Sequence, residues 1–135
     1  MGSEMCIRDS SSAPPVLSPA AIARIEAVAA AGCEVRRIRA EALPRIKGGL
    51  RALYRTLELP GRNPLKDAHA ALDAAVLAAY GFDPHADLLA QLLALNLAVA
   101  GRIEAGESVS APGLPPGFPE PAQMVTLDCI QPPAP

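Results

Sequence analysis

Tryptophan is absent from this 135-residue chain, and tyrosine and phenylalanine supply only Tyr54, Tyr80, Phe82 and Phe118. A core made of Ala, Leu, Val and Ile without large rings suits close-packed helices better than a β-sandwich. Cysteine is scarce. Apart from Cys6, near the start, Cys33 and Cys129 stand alone and far apart. They show neither the density of a secreted disulfide scaffold nor a Cys-x-x-Cys metal spacing, so a reducing, cytoplasmic setting is expected. No apolar run approaches the ~18 residues a membrane span requires, and no signal peptide is recognisable.

Catalytic signatures are missing as well. There is no Gly-x-Ser-x-Gly elbow, and neither Cys33 nor Cys129 has a nearby base. The closest approach to a glycine-rich phosphate loop, Pro112-Gly113-Leu114-Pro115-Pro116-Gly117, is a Pro-Gly alternation with no strand before it and no helix after it. His69 and His85 are the only histidines, with no Glu-x-x-His or His-x-x-x-His spacing, so no metal site is expected. His69 has Asp67 nearby and Asp73 one helical turn on, but it falls among Leu65, Leu72 and Val76. That setting points to a core histidine bonded to Asp73 or to backbone rather than to a catalytic one. Asn96, at the edge of an apolar helix face, reads as a packing polar group. No catalytic, cofactor-binding or metal-ligating residue is assigned.

Residues 1–10 stand apart from the rest. Met5-Cys6-Ile7-Arg8-Asp9-Ser10 looks like the translation of ATG TGT ATA AGA GAC AG, the transposase end used to fragment DNA for sequencing, and Met1-Gly2-Ser3-Glu4 continues the same adapter in frame. Such a segment is expected to take no part in the fold. Cys6 then carries no chemistry, and the reading frame is expected to extend upstream of Ser11.

What remains is enough for one small core, and it reads as all-α. Residues 11–17, with Pro14-Pro15, form a linker. A helical domain over 18–106 opens at Ser18-Pro19, a cap followed by proline at the first helical position. Ile22, Ile25, Val28 and Ala29 recur at helical spacing until Gly32, which is expected to interrupt. A second helix is expected over about 34–57, broken or kinked at Pro44 and weakened at Gly48-Gly49. In its later half Ile46, Leu50, Leu53 and Leu57 share one face, and Lys47, Arg51 and Arg55 form a neighbouring stripe. Asn63-Pro64 starts a helix that runs to Tyr80 and closes at Gly81. Asp83-Pro84 is a turn or another capped start, and the last helix carries Leu88, Leu92, Leu95, Val99 and Ile103. Two helices joined by a short turn are expected to pack antiparallel. Residues 107–135 form a Pro-rich tail expected to be extended, with Met124-Val125-Thr126-Leu127 as a short strand candidate lacking a partner.

Charge is lopsided. From Arg36 to Lys66 there are nine Lys or Arg and two acids, and from Asp67 to the end eight acids and one base, Arg102. Either a basic surface faces an anionic partner, or the two halves attract each other internally. On the first reading, Lys47, Arg51 and Arg55 contact successive DNA phosphates. Arg62 and Lys66 add charge at a helix start, where free backbone N–H groups also favour anions. Such contacts give affinity and salt dependence without sequence readout.

The run from Leu59 to Gly81, with its core Asp67-Ala68-His69-Ala70-Ala71-Leu72-Asp73-Ala74-Ala75-Val76-Leu77-Ala78-Ala79-Tyr80-Gly81, resembles the C-terminal helical region of MmeI-like DNA methyltransferases of the type IIL restriction–modification group and their stand-alone relatives. Asp87-Leu88-Leu89, Leu92-Leu93-Ala94-Leu95-Asn96 and Ala111-Pro112-Gly113-Leu114-Pro115 extend the likeness, which covers roughly residues 57–130. Phe82 stands where many relatives have Trp. The resemblance implies a bacterial, S-adenosylmethionine-dependent, adenine-specific DNA methyltransferase whose target-recognition region lies upstream of this tail. The family's Asn-Pro-Pro-Tyr and glycine-containing cofactor motifs have no counterpart here: Asn63-Pro64-Leu65 is a helix start. The expected partners are therefore DNA and the upstream domains, and the piece alone is expected to be inactive. A non-enzymatic helical DNA-binding or adaptor module, or a plain structural cap, is the alternative.

Overall fold

The computed structural model describes residues 16–110, 113–127 and 129; the adapter-like segment and most of the linker lie outside them. Residues 19–109 form one compact unit, and the remaining described residues belong to another. Helices α1 (Pro19–Ala42), α2 (Gly49–Arg55), α3 (Pro64–Tyr80) and α4 (Leu88–Glu104) account for the first unit, with short 3-10 turns at Leu43–Arg45 and Thr56–Glu58. The all-α expectation holds: no strand occurs among the described residues.

Helix α1 starts at Pro19 as expected but does not stop at Gly32. A Cβ at Gly32 would meet nothing within 4 Å, so this glycine serves no close approach. The apolar spacing runs through it, from Val28 to Val35, Ile38 and Ala42. A single helical glycine costs ~1 kcal/mol relative to Ala, too little to break a helix held by packing on its far side. Pro44 does end the helix, inside the 3-10 turn that follows.

The core lies where α1, α2 and α3 meet. Val35, Leu53, Leu65 and Ala68 are buried together, with Ile38, Leu57, Leu72 and Tyr54 packed around them. Helix α3 packs extensively on α1, and no comparable contact joins α3 to α4. The antiparallel α3–α4 pairing expected from the short turn is therefore not what forms the core. Helix α4 has no buried residue. Leu88, Leu92, Leu95 and Ile103, expected inside, are exposed, and so is Asn96.

Local chemistry sets the ends of α3 and α4. Asn63 Oδ1 accepts from Leu65 N at 3.0 Å and Lys66 N at 3.3 Å, while its Nδ2 donates to both oxygens of Thr56 at 3.1 Å. One side chain thus caps α3 and ties it to the end of α2. Gly81, at φ 70°, closes α3 with bonds from Gly81 N to Ala78 O and Phe82 N to Leu77 O, a Schellman ending that favours glycine. Asp83 forms the turn, accepting from His85 N at 2.8 Å, and Asp87 caps α4 through Leu89 N and Ala90 N. Gln91 bridges back, accepting from Asp83 N at 2.8 Å and donating to Asp83 O at 3.0 Å.

In the tail unit, Glu120 adopts a left-handed conformation (φ 49°) and a 3-10 turn spans Pro121–Met124. Met124 therefore closes a helical turn instead of opening a strand, and Leu127 is fully exposed.

Candidate nucleic-acid interface

The basic residues singled out from the sequence sit at two places. Arg51 and Arg55 lie one turn apart on α2, while Lys47 belongs to the turn before it. The stripe is thus a pair plus a preceding loop residue. Its helix is shorter than the periodicity suggests because the backbone at Gly48 (φ 103°) and Gly49 (φ 67°) is left-handed. A Cβ at Gly48 would come within 2.9 Å of Ala52 Cβ. Arg62 is in the turn before α3, and Lys66 is in its first helical turn.

All five side chains are exposed, and among the described residues none of them is ion-paired. The same is not true of every cation. Arg37 bonds Glu34 at 2.6 Å and Glu41 at 2.7 Å. The hydrogen bonds that Arg37 donates to Glu34 and then to Glu41 hold the guanidinium pKa above its usual range. In turn the Arg37 hydrogen bond lowers the Glu34 carboxyl. Arg102 bonds Glu107 at 2.8 Å. Arg37 is therefore a poor phosphate ligand despite lying within the basic stretch.

Arg62 is less favourably placed than the sequence suggests. It edges an open depression of about 360 Å³ that also carries Glu34 and Asp67. The α3 start offers little to an anion, because Asn63 already occupies the amides of Leu65 and Lys66. Arg45, outside the Lys47, Arg51 and Arg55 stripe, is exposed two residues before Lys47 and lines an open groove of about 530 Å³ over Ile38, Ile46, Leu53 and Leu65. Its membership of the Arg36–Lys66 stretch was the available signal.

His69 has a partner other than the one expected. Its Nε2 lies 3.0 Å from Tyr54 Oη, and Asp73 is exposed. Fifteen residues separate the pair, so no short-range spacing could reveal it. No group of His, Cys, Asp and Glu among the described residues is arranged to hold a metal. None of the described helices is long and apolar enough to cross a membrane. Comparison with known proteins finds no matching family model, curated protein or solved structure.

Proposed function

We propose that this chain is the C-terminal helical region of a site-specific DNA adenine-N6 methyltransferase of a restriction–modification system, acting in the cytoplasm, and that it contributes DNA-backbone contacts. The observation that carries the DNA contact is the state of Arg51 and Arg55: exposed, a turn apart and unpaired among the described residues. Arg37, in the same basic stretch, is instead paired with Glu34 and Glu41. The Leu59–Gly81 likeness supplies the family, and capping at both ends of α3 makes that stretch a well-defined helix. Within this proposal α3 and α4 pair antiparallel in the working protein, and the Pro-rich tail runs extended along the upstream body.

S-adenosylmethionine would supply the methyl group to the intact enzyme, but the residues present here do not fit that cofactor. Among the described residues no glycine-rich loop links a strand to a helix, and the Asn63-Pro64 start spends its side-chain oxygen on its own helix amides. The reaction belongs to upstream sequence.

The gene's locus tests the family. A reading frame running through Ser11 into an Asn-Pro-Pro-Tyr motif is expected, and a stop codon just before Ser18 overturns the proposal. The DNA contact is tested on the whole enzyme with Lys47, Arg51 and Arg55 changed to Ala. Each lost phosphate contact lowers the slope of log affinity against log salt by ~0.9. An unchanged slope removes these residues from the interface.

A further inference from the structure

Helices α3 and α4 carry matching surfaces that the single chain leaves apart. The face of α3 turned away from the core presents Ala70, Ala74 and Leu77, which line an open, mostly apolar groove of about 420 Å³ with Phe82 and Pro84 and with Asp73 at its edge. On α4, Leu88, Leu92 and Leu95 are exposed large apolar side chains, and Val99 is half-buried. Ala70, Ala74, Leu77 and Gly81 repeat at intervals of four, three and four residues, and so do Leu88, Leu92, Leu95 and Val99. This is the spacing of a seam between two helices crossing at a shallow angle.

Run antiparallel, the two series register residue for residue: Ala70 with Val99, Ala74 with Leu95, Leu77 with Leu92, and Gly81 with Leu88. In three of these four pairs a small residue, Ala70, Ala74 or Gly81, faces a larger one on α4, and Leu77 meets Leu92; facing small and large positions fill an interface without voids. Each helix has 17 residues, and antiparallel alignment opposes their dipoles favourably. Charge agrees with the same register. No charged residue occurs from Leu88 to Gly101. At one end of the seam Arg102, bonded to Glu107 in the single chain, and Glu104 come alongside Asp67 and Lys66, opposite signs. At the other end Asp83 and Asp87 spend their carboxylates on backbone amides.

Within one chain the turn works against closure. Gln91, on the first turns of α4, is hydrogen-bonded twice to Asp83, while Asp87 caps the helix and Asp83 holds the His85 amide. These bonds tie the first turns of α4 to the turn that follows α3, and α4 makes no contact with α3 comparable to that of α1. We propose that the α4 helix docks in the α3 groove of a second copy of this chain, giving a reciprocal, two-fold dimer. Exchange of an identical element is a low-cost route to such an assembly. It deepens the α3–α4 pairing proposed above by naming the partner helix. It does not depend on DNA binding or methylation, so either can fail without the other.

The test uses the full chain with Cys6, Cys33 and Cys129 changed to Ser. One preparation carries Ala74→Cys and the other Leu95→Cys, and the two are mixed with a short bismaleimide. The expected product is the mixed Ala74→Cys/Leu95→Cys dimer, with unmodified chain sedimenting as a dimer at micromolar concentration. Leu95→Glu, at an exposed position, is expected to weaken dimerisation at least about tenfold while helical circular dichroism is unchanged. A monomer in sedimentation overturns the proposal, as does a Leu95→Cys self-cross-link in place of the mixed one. So does efficient intramolecular cross-linking of the Ala74→Cys/Leu95→Cys double variant, which would show a closed hairpin.

Discussion

The Tyr54 hydroxyl lies 3.0 Å from His69 Nε2, and the two rings meet edge to face with centroids 5.4 Å apart. The contact joins α2 to α3 at the edge of the core, where Tyr54 packs on the buried cluster. Tyr54→Phe keeps the ring and deletes only the hydroxyl, so a loss of about 1 kcal/mol in urea unfolding is expected. His69→Ala also removes the ring contact and costs about 0.5–1.5 kcal/mol more. Asp73→Asn is expected to stay within about 0.5 kcal/mol of the parent, since Asp73 is exposed. Equal losses from Asp73→Asn and Tyr54→Phe would return His69 to the acidic partner that helical spacing suggested.

Asn63 separates two roles that one side chain performs. Asn63→Asp retains the oxygen that accepts from Leu65 N and Lys66 N but loses the amide that donates to Thr56. Asn63→Ala loses both. Chemical denaturation should rank them parent, then Asp, then Ala, with the Ala variant down by about 1–2 kcal/mol. An Asp variant as unstable as Ala would mean that the link to Thr56, not the cap, sets the value of this residue.

These caps show why part of the fold was readable beforehand. Asn63, Gly81 and Pro44 act on backbone within a few residues of themselves, so their chemistry is visible in a short window. The partner of α3 was not readable in that way. Helix α3 is apolar on more than one side, and helices before and after it both offer Leu, Ile and Val; choosing α1 over α4 is a long-range decision. The interface residues divide similarly. Exposure of Arg51 and Arg55 followed from helical spacing. The neutralisation of Arg37 by Glu34 and Glu41 was open to an i, i+3 and i, i+4 reading, whereas the acidic surroundings of Arg62 come from α1 and α3 meeting in space.

Two glycines should respond to alanine with opposite signs. At Gly32 the helix is regular and a Cβ has open space around it, so Gly32→Ala is expected to raise stability by about 0.5–1 kcal/mol. Gly81 sits at φ 70° in the Schellman ending of α3, and Gly81→Ala places a Cβ in a conformation L-residues avoid, costing on the order of 1 kcal/mol. Thermal melts of the two variants check both. A destabilised Gly32→Ala would mean that α1 bends or breaks there in solution.

The contrast between Leu65 and Leu93 tests where the core ends. Leu65 is 2% exposed and packed among α1, α2 and α3, whereas Leu93 on α4 is 58% exposed. Truncation of Leu65 to Ala removes buried methyl groups and leaves a cavity, for an expected loss of about 2–5 kcal/mol. Leu93→Ala removes surface that water already reaches, and Ala is the better helix former, so its effect should lie within about 0.5 kcal/mol. Leu93 also lies outside the Leu88, Leu92, Leu95 and Val99 seam, which makes it a control for the dimer as well as for the core. Urea midpoints measured at two protein concentrations separate these contributions, because only a residue in an interface between copies has a concentration-dependent effect. A loss at Leu93 comparable to that at Leu65, independent of concentration, would place α4 inside the folded core of a single chain.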